Sequence, residues 1–115
     1  MLAISSTKNQ DSLVVTLDGR IDANSAKELE QQCLAWIDGG EKKLILDFSA
    51  VNFISSAGLR VILLIAKKLE PVQGKVKLCG LNATLKDVFE ISGFSKLFDI
   101  VPTVAEACLL YTSDA

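Results

Sequence analysis

The chain contains no histidine among its 115 residues. Without an imidazole, neither a Ser-His-Asp triad nor a Cys-His pair can form, and no metal can be held by histidine. The three cysteines, Cys33, Cys79 and Cys108, lack the paired spacing of a zinc site or a disulfide framework, and we interpret them as small buried side chains in a reducing compartment. A phosphate-binding glycine loop is also missing. The sequence therefore predicts a protein that is not an enzyme and has no cofactor or metal.

Neither charge sign dominates the chain, and long apolar runs are missing. Twelve basic and 14 acidic residues give a formal net charge of −2, whereas a nucleic-acid-binding surface needs a basic patch. The longest apolar run, residues 61–66, is far shorter than the roughly 20 residues of a membrane-spanning helix. The first residues do not have the basic stretch and apolar core of a signal peptide. We therefore expect a cytoplasmic protein that binds no nucleic acid and does not insert into a membrane.

Length and composition predict one folded domain spanning residues 1–115. Half of the residues are apolar and 23% are charged, which is typical of a globular domain. Strands are predicted at residues 2–6, 12–19, 43–48, 75–79 and 98–101, and helices at residues 24–38, 56–70 and 103–110 and from the N-cap Asn82 to residue 91. This order indicates an α/β domain in which about four helices pack on a mixed sheet of four or five strands. Residues 111–115 are expected to fray.

The most informative segment runs from Asp47 to Arg60. A strand leads into a polar loop, and an apolar helix then begins at Ser55 and Ser56. A serine at a helix start accepts a hydrogen bond from a free backbone N–H, and the same terminus favours negative charge. From the residues alone, the serine pair is interpreted first as a helix cap. Because the helix would tolerate a phosphate there, Ser56 is also a candidate for regulatory phosphorylation.

The helix that starts at Ser56 has two faces. At about 100° per residue, its most apolar side is predicted to pack on the sheet through Gly58, Val61, Ile62, Ile65, Ala66 and Leu69. The opposite side is predicted to carry Ser56, Arg60, Leu63 and Lys67, with Leu64 and Lys68 close by. Such a face is either a docking surface for a partner or a plain surface helix partly covered by a neighbouring loop. Arg60, one turn from Ser56, is placed to help neutralise a phosphate on that serine.

Two motifs of the chain resemble those of the STAS domain family, and in particular those of the bacterial anti-sigma factor antagonists. In the first, a strand ends in Asp47-Phe48-Ser49 and leads to Ile54-Ser55-Ser56-Ala57-Gly58-Leu59; in the second, Gly19-Arg20-Ile21-Asp22 precedes the first long helix. The resemblance implies phosphorylation of the serine two residues before the glycine, which is Ser56 rather than Ser55. It also implies that Asp22, Asp47 and Ser56 lie on one surface.

The function that the resemblance implies is a phosphorylation-switched interaction domain. The unmodified protein would bind an anti-sigma factor that is also a serine kinase, and a sigma factor would thereby be released. A metal-dependent serine phosphatase would restore the free hydroxyl. Contacts with the kinase partner are expected at Asp22, Asp47, Ser55, Ser56, Ala57, Gly58, Arg60, Leu63, Leu64 and Lys67.

Two other functions are compatible with parts of the sequence. STAS-like domains also serve as subunits of transport or stress-signalling assemblies, in which the matching serine is a contact residue without a phosphate switch. A small hydrolase would use Ser56 as its nucleophile with a lysine or a carboxylate as base. The chain provides no histidine and no Ser-x-x-Lys pattern at this serine, which disfavours the hydrolase.

Overall fold

The structure, a computed structural model, describes residues 2–113, with side chains from residue 2 to residue 108. Within this part of the chain there are five strands and four helices, together with two short 3-10 helices at Glu70–Val72 and Phe94–Lys96. The strands are β1 (Leu2–Asn9), β2 (Ser12–Ile21), β3 (Lys43–Ile54), β4 (Lys75–Cys79) and β5 (Asp99–Val101). The helices are α1 (Ala23–Asp38), α2 (Ser56–Leu69), α3 (Ala83–Ile91) and α4 (Val104–Ser113). None of these helices is long and apolar enough to cross a membrane.

The five strands form one mixed sheet in the order β1-β2-β3-β4-β5. β1 is antiparallel to β2, to which it is joined by a tight turn, and β2, β3, β4 and β5 are parallel to one another. Each parallel connection contains one of the helices α1, α2 and α3, as parallel strands require a long crossover. The predicted α/β architecture with a mixed sheet and four helices is therefore confirmed.

Two apolar clusters hold the helices on opposite faces of the sheet. The larger cluster joins α1, α2 and α3 to one face, with Leu29, Ile62 and Phe89 among its fully buried members. The smaller cluster lies beneath α4 and contains Val14, Ile45, Cys79 and Ala107. The predicted core side of α2 is correct, since Gly58, Val61, Ile62, Ile65 and Leu69 are buried and Ala66 is half-buried. The sheet therefore has a thick core on one face and a thinner one on the other.

The main error of the sequence prediction concerns the polar loop before α2. β3 does not end at Phe48 but continues to Ile54, and β2 continues to Ile21. The two extensions pair with each other, from Asp18 opposite Ala50 to Ile21 opposite Ile54. Two register shifts within this pairing mark β-bulges, which bend a strand without ending it. α2 therefore starts directly from a strand and not from a loop.

Several other strands and helices differ from their predicted boundaries by a few residues. β1 extends to Asn9, so that the turn before β2 consists of residues 10 and 11. β5 begins at Asp99 and not at Phe98. α2 ends at Leu69, and Pro71 belongs to the 3-10 helix that follows. α4 continues past the predicted end at residue 110 to Ser113, while the expected fraying of residues 111–115 stays a prediction. Residues 114 and 115 lie outside the described residues.

Candidate functional site at the start of helix α2

The start of α2 is fixed between the ends of β2 and β3. The backbone N–H of Ser55 donates to the carbonyl oxygen of Ile21 at 2.8 Å. The Ser55 hydroxyl oxygen accepts a hydrogen bond from the backbone N–H of Gly58 at 3.2 Å, which makes Ser55 the N-cap of α2. The backbone N–H of Leu59 donates to the Ser55 carbonyl oxygen and closes the first turn. The N–H, hydroxyl and carbonyl groups of Ser55 therefore all form hydrogen bonds that fix the start of α2.

Gly58 allows α2 to lie close to the sheet. A Cβ atom at this position would come within 2.7 Å of Ile21 Cγ2 and 2.8 Å of Ile54 Cγ1. Both isoleucines are buried, so they have little space in which to move aside. The interpretation of Gly58 as a close-approach glycine is therefore confirmed.

Ser56 is the first residue of α2, and its side chain is exposed. Its hydroxyl makes no hydrogen bond with the described part of the chain, in contrast to that of Ser55, which is half-buried. Because Ser55 already satisfies the Gly58 N–H, the Ser56 hydroxyl is not needed for the cap. Two adjacent serines thus differ in burial and in bonding.

Asp22 lies beside this helix start and caps α1. Its carboxylate accepts a hydrogen bond from the backbone N–H of Ser25 at 2.9 Å, while its own N–H donates to the Ser25 hydroxyl at 2.8 Å. The hydrogen bond from the Ser25 backbone N–H, together with a second one from the Ser25 hydroxyl at 3.0 Å, holds the pKa of the Asp22 carboxyl below its usual value. Since Ile21 binds Ser55 and precedes Asp22, the two helix starts lie next to each other at one edge of the sheet.

Asp47 occupies a different position. Its strand neighbour Ile45 and its ladder partner Cys79 both belong to the cluster beneath α4. Because side chains alternate along a strand and parallel partners point the same way, Asp47 faces the α4 side, whereas α2 packs on the other face. The structure therefore brings Asp22 and the serines together but does not place Asp47 with them. The long β3 extension, which the sequence prediction missed, separates Asp47 from Ser56.

The Asp47 carboxylate is hydrogen-bonded to Ser49 within strand β3. One oxygen accepts hydrogen bonds from the Ser49 backbone N–H at 3.0 Å and from the Ser49 hydroxyl at 2.6 Å. Gly80, with φ of +73°, packs directly on this pair, and a Cβ at Gly80 would overlap the Ser49 hydroxyl. Both hydrogen bonds lie within strand β3, so they do not organise a loop. The part played by Gly80 was missed, although a glycine directly after β4 was the available signal.

The outer face of α2 has the predicted composition but less exposed leucines. Arg60 and Lys67 are exposed, whereas Leu63 and Leu64 are half-buried. Leu63 packs against the edge of the main core, as does the half-buried Ala57. This face is therefore a basic surface with partly sheltered apolar side chains, and the leucine pair is not a freely exposed patch.

A second exposed feature lies on the β2–β3 extension. The Arg20 guanidinium stands 4.4 Å from the centre of the Phe53 ring, and Phe53 is 38% exposed. The two residues are direct partners in the parallel ladder. Nothing in the local sequence indicates that Phe53 lies beside Arg20. A cation over an aromatic face within about 6 Å is a stabilising contact.

The comparison with protein-family models matches residues 3–107 to the STAS domain. This chain belongs to the STAS domain family. A relative from Bordetella bronchiseptica, BtrV, which is described as a candidate anti-sigma factor antagonist, is 44% identical over 88 residues, covering 76% of each chain. The anti-sigma-B factor antagonist of Listeria monocytogenes is 28% identical over 93 residues, covering 81% of this STAS domain and 82% of the relative.

Solved structures share the fold of this STAS domain. An anti-sigma factor antagonist from Mycobacterium paratuberculosis superposes with a TM-score of 0.87 at 25% identity and covers 96% of this chain and 93% of its own. SpoIIAA matches in its unphosphorylated form with a TM-score of 0.76 at 20% identity, over 98% of this chain and 100% of its own. Its phosphorylated form matches with a TM-score of 0.73 at 24% identity, over 92% of this chain and 96% of its own.

Proposed function

We propose that this STAS domain is an anti-sigma factor antagonist whose binding is switched by phosphorylation of Ser56. The observation that carries the proposal is an exposed, unbonded serine hydroxyl on the first residue of a helix whose cap is provided by its neighbour. Family membership and the roles named for BtrV and the Listeria relative support this role. The phosphorylated structure of SpoIIAA supports it as well, because that protein of the same fold exists in two phosphorylation states.

The local geometry favours Ser56 over Ser55 as the phosphate acceptor. A phosphate on Ser55 would remove the hydroxyl that accepts the Gly58 N–H and would have to fit a half-buried position. A phosphate on Ser56 would stand in solvent beside the positive end of the helix dipole, which stabilises an anion by about 0.3–1 kcal/mol. Phosphorylation at Ser56 should therefore leave the fold intact.

The chemistry of the switch belongs to the partners. An anti-sigma factor with serine kinase activity would transfer the terminal phosphoryl group of ATP to the Ser56 oxygen. The serine O–P bond forms, the bond to the leaving ADP oxygen breaks, and the hydroxyl proton is released. A metal-dependent serine phosphatase would add water across the serine O–P bond and return serine and inorganic phosphate. The antagonist itself would be a substrate and a binding module in the cytoplasm, not an enzyme.

The partner-binding surface would be centred on the start of α2. The contacts proposed near that start are Asp22, Ser55, Ser56, Ala57 and Gly58, and those along its outer face are Arg60, Leu63, Leu64 and Lys67. Asp47 faces the other side of the sheet, so it would support the partner-binding surface only indirectly, through its hydrogen bonds with Ser49. A phosphate of about −1.5 to −2 charges at the centre of a desolvated interface costs several kcal/mol, and about 3 kcal/mol already corresponds to a factor of more than a hundred in affinity.

The test is a binding assay with the cognate kinase-type anti-sigma factor. Wild type, Ser56→Ala and Ser56→Asp are compared with and without ATP, and phosphate incorporation is followed by intact mass. Ser5→Ala, which alters an exposed serine on β1, serves as the matched control. We expect wild type and the control to gain one phosphate and to lose about a hundredfold in affinity, Ser56→Ala to bind without modification, and Ser56→Asp to bind poorly. If no phosphate is added and all variants bind alike, the serine is only a helix residue and the domain serves a transport or stress-signalling assembly.

A further inference from the structure

The charges of α2 are segregated by sign. Between Ser56 and Leu69 the helix carries Arg60, Lys67 and Lys68 and no acidic residue, although the net charge of the whole chain is −2. All three cations are exposed, and none forms an ion pair with another described residue. Exposed cations without internal partners on an acidic protein form a surface that attracts negative charge.

Two of these cations line up with Ser56. Ser56, Arg60, Leu63 and Lys67 are separated by four, three and four residues, so they form one stripe along the outer face of α2, which we call the α2 stripe. At 1.5 Å per residue, the stripe is roughly 16 Å long. Lys68 points about 100° away from Lys67 and therefore lies off the stripe. Leu63 is half-buried in the middle of the stripe and offers a sheltered apolar contact between the two cations.

We infer that the α2 stripe binds an acidic segment of the partner and that a phosphate on Ser56 competes with that segment for Arg60. The inference rests on the proposed function and names the partner chemistry and the means of release. Residues four apart on a helix have Cβ atoms about 5–6 Å apart, so the Arg60 guanidinium reaches a phosphate on Ser56. Guanidinium groups bind phosphate through two parallel hydrogen bonds, in a geometry that a lysine does not match. When Ser56 is phosphorylated, Arg60 pairs with the phosphate and is no longer available to bind the carboxylate of the partner.

Lys67 provides an internal contrast to Arg60. It lies roughly 16 Å from Ser56 along the helix, which is about twice the Debye length of about 8 Å at physiological salt. A phosphate on Ser56 therefore leaves Lys67 free to attract the partner. Arg60 should couple binding to phosphorylation, whereas Lys67 should contribute to binding alone.

The first experiment measures the phosphate directly and needs no partner. Phosphoserine is placed at position 56 during synthesis, and the pKa of its phosphate is followed by phosphorus NMR in wild type, Arg60→Gln and Lys68→Gln. An ion pair with Arg60 stabilises the dianion of the phosphate. The phosphate pKa should therefore be several tenths of a unit higher in Arg60→Gln than in wild type, and the same in Lys68→Gln as in wild type. The Asp22 carboxylate is present in all three proteins and cancels in the comparison. An equal pKa in all three overturns the competition for Arg60.

The second experiment measures affinity for the kinase-type anti-sigma factor at low and high salt. In unmodified protein, Arg60→Gln and Lys67→Gln should each weaken binding at low salt by about threefold or more and reduce its salt dependence, while Lys68→Gln should have little effect. With phosphoserine at position 56, the loss of affinity should be several-fold smaller in Arg60→Gln than in wild type, and unchanged in Lys67→Gln. Equal effects of all three substitutions would show that the α2 stripe is not the binding surface for the acidic segment.

The outcome for the proposed function is distinguishable from this result. If the partner binds but never phosphorylates Ser56, the proposed function fails, and the phosphate titration still decides whether Arg60 pairs with a phosphate at position 56.

Discussion

Ser55 and Ser56 are neighbours in the chain, yet only one of their hydroxyl groups is part of the folded structure. Ser55 accepts the Gly58 N–H and is half-buried, whereas Ser56 is exposed and unbonded within the described residues. At the level of single residues, the helix cap therefore depends on Ser55, and the proposed regulation would act on Ser56. This separation allows a modification at one position without loss of the helix cap at the other.

The two serines should differ in their effect on stability. Removing a serine cap costs about 1 kcal/mol, whereas an exposed substitution that breaks no contact stays within about 0.5 kcal/mol. Ser55→Ala is therefore expected to lower the free energy of unfolding by about 1 kcal/mol in urea titrations, and Ser56→Ala to leave it nearly unchanged. Equal losses in the two variants would show that Ser56 shares the capping role.

Asp22 makes stability depend on acid pH. Its pKa is lower in the folded protein than the ordinary value of 3.8, because it accepts hydrogen bonds from Ser25. Its contribution is therefore fully present above the pKa of the unfolded chain and is lost as pH falls through the folded value. Asp22→Asn keeps a good N-cap but does not titrate.

We expect the stability difference between wild type and Asp22→Asn to be constant from pH 7 to about pH 5 and to change in favour of Asp22→Asn as pH falls further. Urea unfolding at a series of pH values measures this difference. A difference that does not depend on pH would mean that the carboxylate has the same pKa in the folded and unfolded states.

At the scale of elements, the placement of α2 depends on contacts that local sequence does not reveal. The alternation in residues 75–79, the apolar period of α2 and the N-cap Asn82 helped to locate most strands and helices. The β3 extension was missed because its buried residues are Phe48, Val51 and Ile54, a spacing of three that fits neither a regular strand nor a long helix. Two bulges against β2 produce this spacing, and their pairing partners lie about 30 residues away in the chain.

The same limit applies to the site. The serine helix was predicted from local motifs, whereas the capping of α1 by Asp22 and the division of Asp47 from Ser56 were not. The Arg20–Phe53 contact and the seating of Gly80 on Ser49 depend on pairing between strands. Local sequence indicates which residues cap a helix or bend the backbone. Contacts between residues on neighbouring strands become visible only in the structure.

The close approach of α2 to the sheet can be tested with a methyl group. Gly58→Ala places a Cβ within 2.7 Å of Ile21 and 2.8 Å of Ile54, and overpacking of this kind costs about 1–3 kcal/mol. The gain of about 1 kcal/mol from replacing glycine in a helix offsets part of it. We expect a net loss of up to about 2 kcal/mol in the free energy of unfolding.

Gly39→Ala is the matched control for this substitution. Gly39 ends α1 with φ of −79°, and its added Cβ would meet only backbone oxygens at 3.4 Å. This substitution should be neutral or slightly stabilising under the same conditions. A loss in Gly39→Ala as large as that in Gly58→Ala would attribute the effect to backbone freedom and not to contact with the sheet.

At the scale of the whole molecule, the two faces of the sheet differ in how firmly they are covered. Cys33 is buried in the large core beneath α1, α2 and α3, and Cys79 in the small cluster beneath α4. Burial raises the pKa of Cys33 to about 12; burial, aided by the Asp47 and Cys108 charges, raises that of Cys79 to about 12 as well. Both thiols are therefore unreactive in the folded protein, while Cys108 is only half-buried.

Thiol labelling should reveal that α4 separates from the sheet before the main core unfolds. Among residues 104–108, the part of α4 whose side chains the structure describes, Val104, Ala107 and Cys108 contact the small cluster, and we expect the opening of α4 to require less free energy than global unfolding. In single-cysteine variants labelled at pH 8 in low urea, we expect Cys108 to react first, then Cys79, and Cys33 only at the rate set by global unfolding. The urea dependence of each rate separates the two openings, because local detachment exposes less surface than unfolding. Equal opening free energies at Cys79 and Cys33 would instead show that the two faces unfold as one cooperative unit.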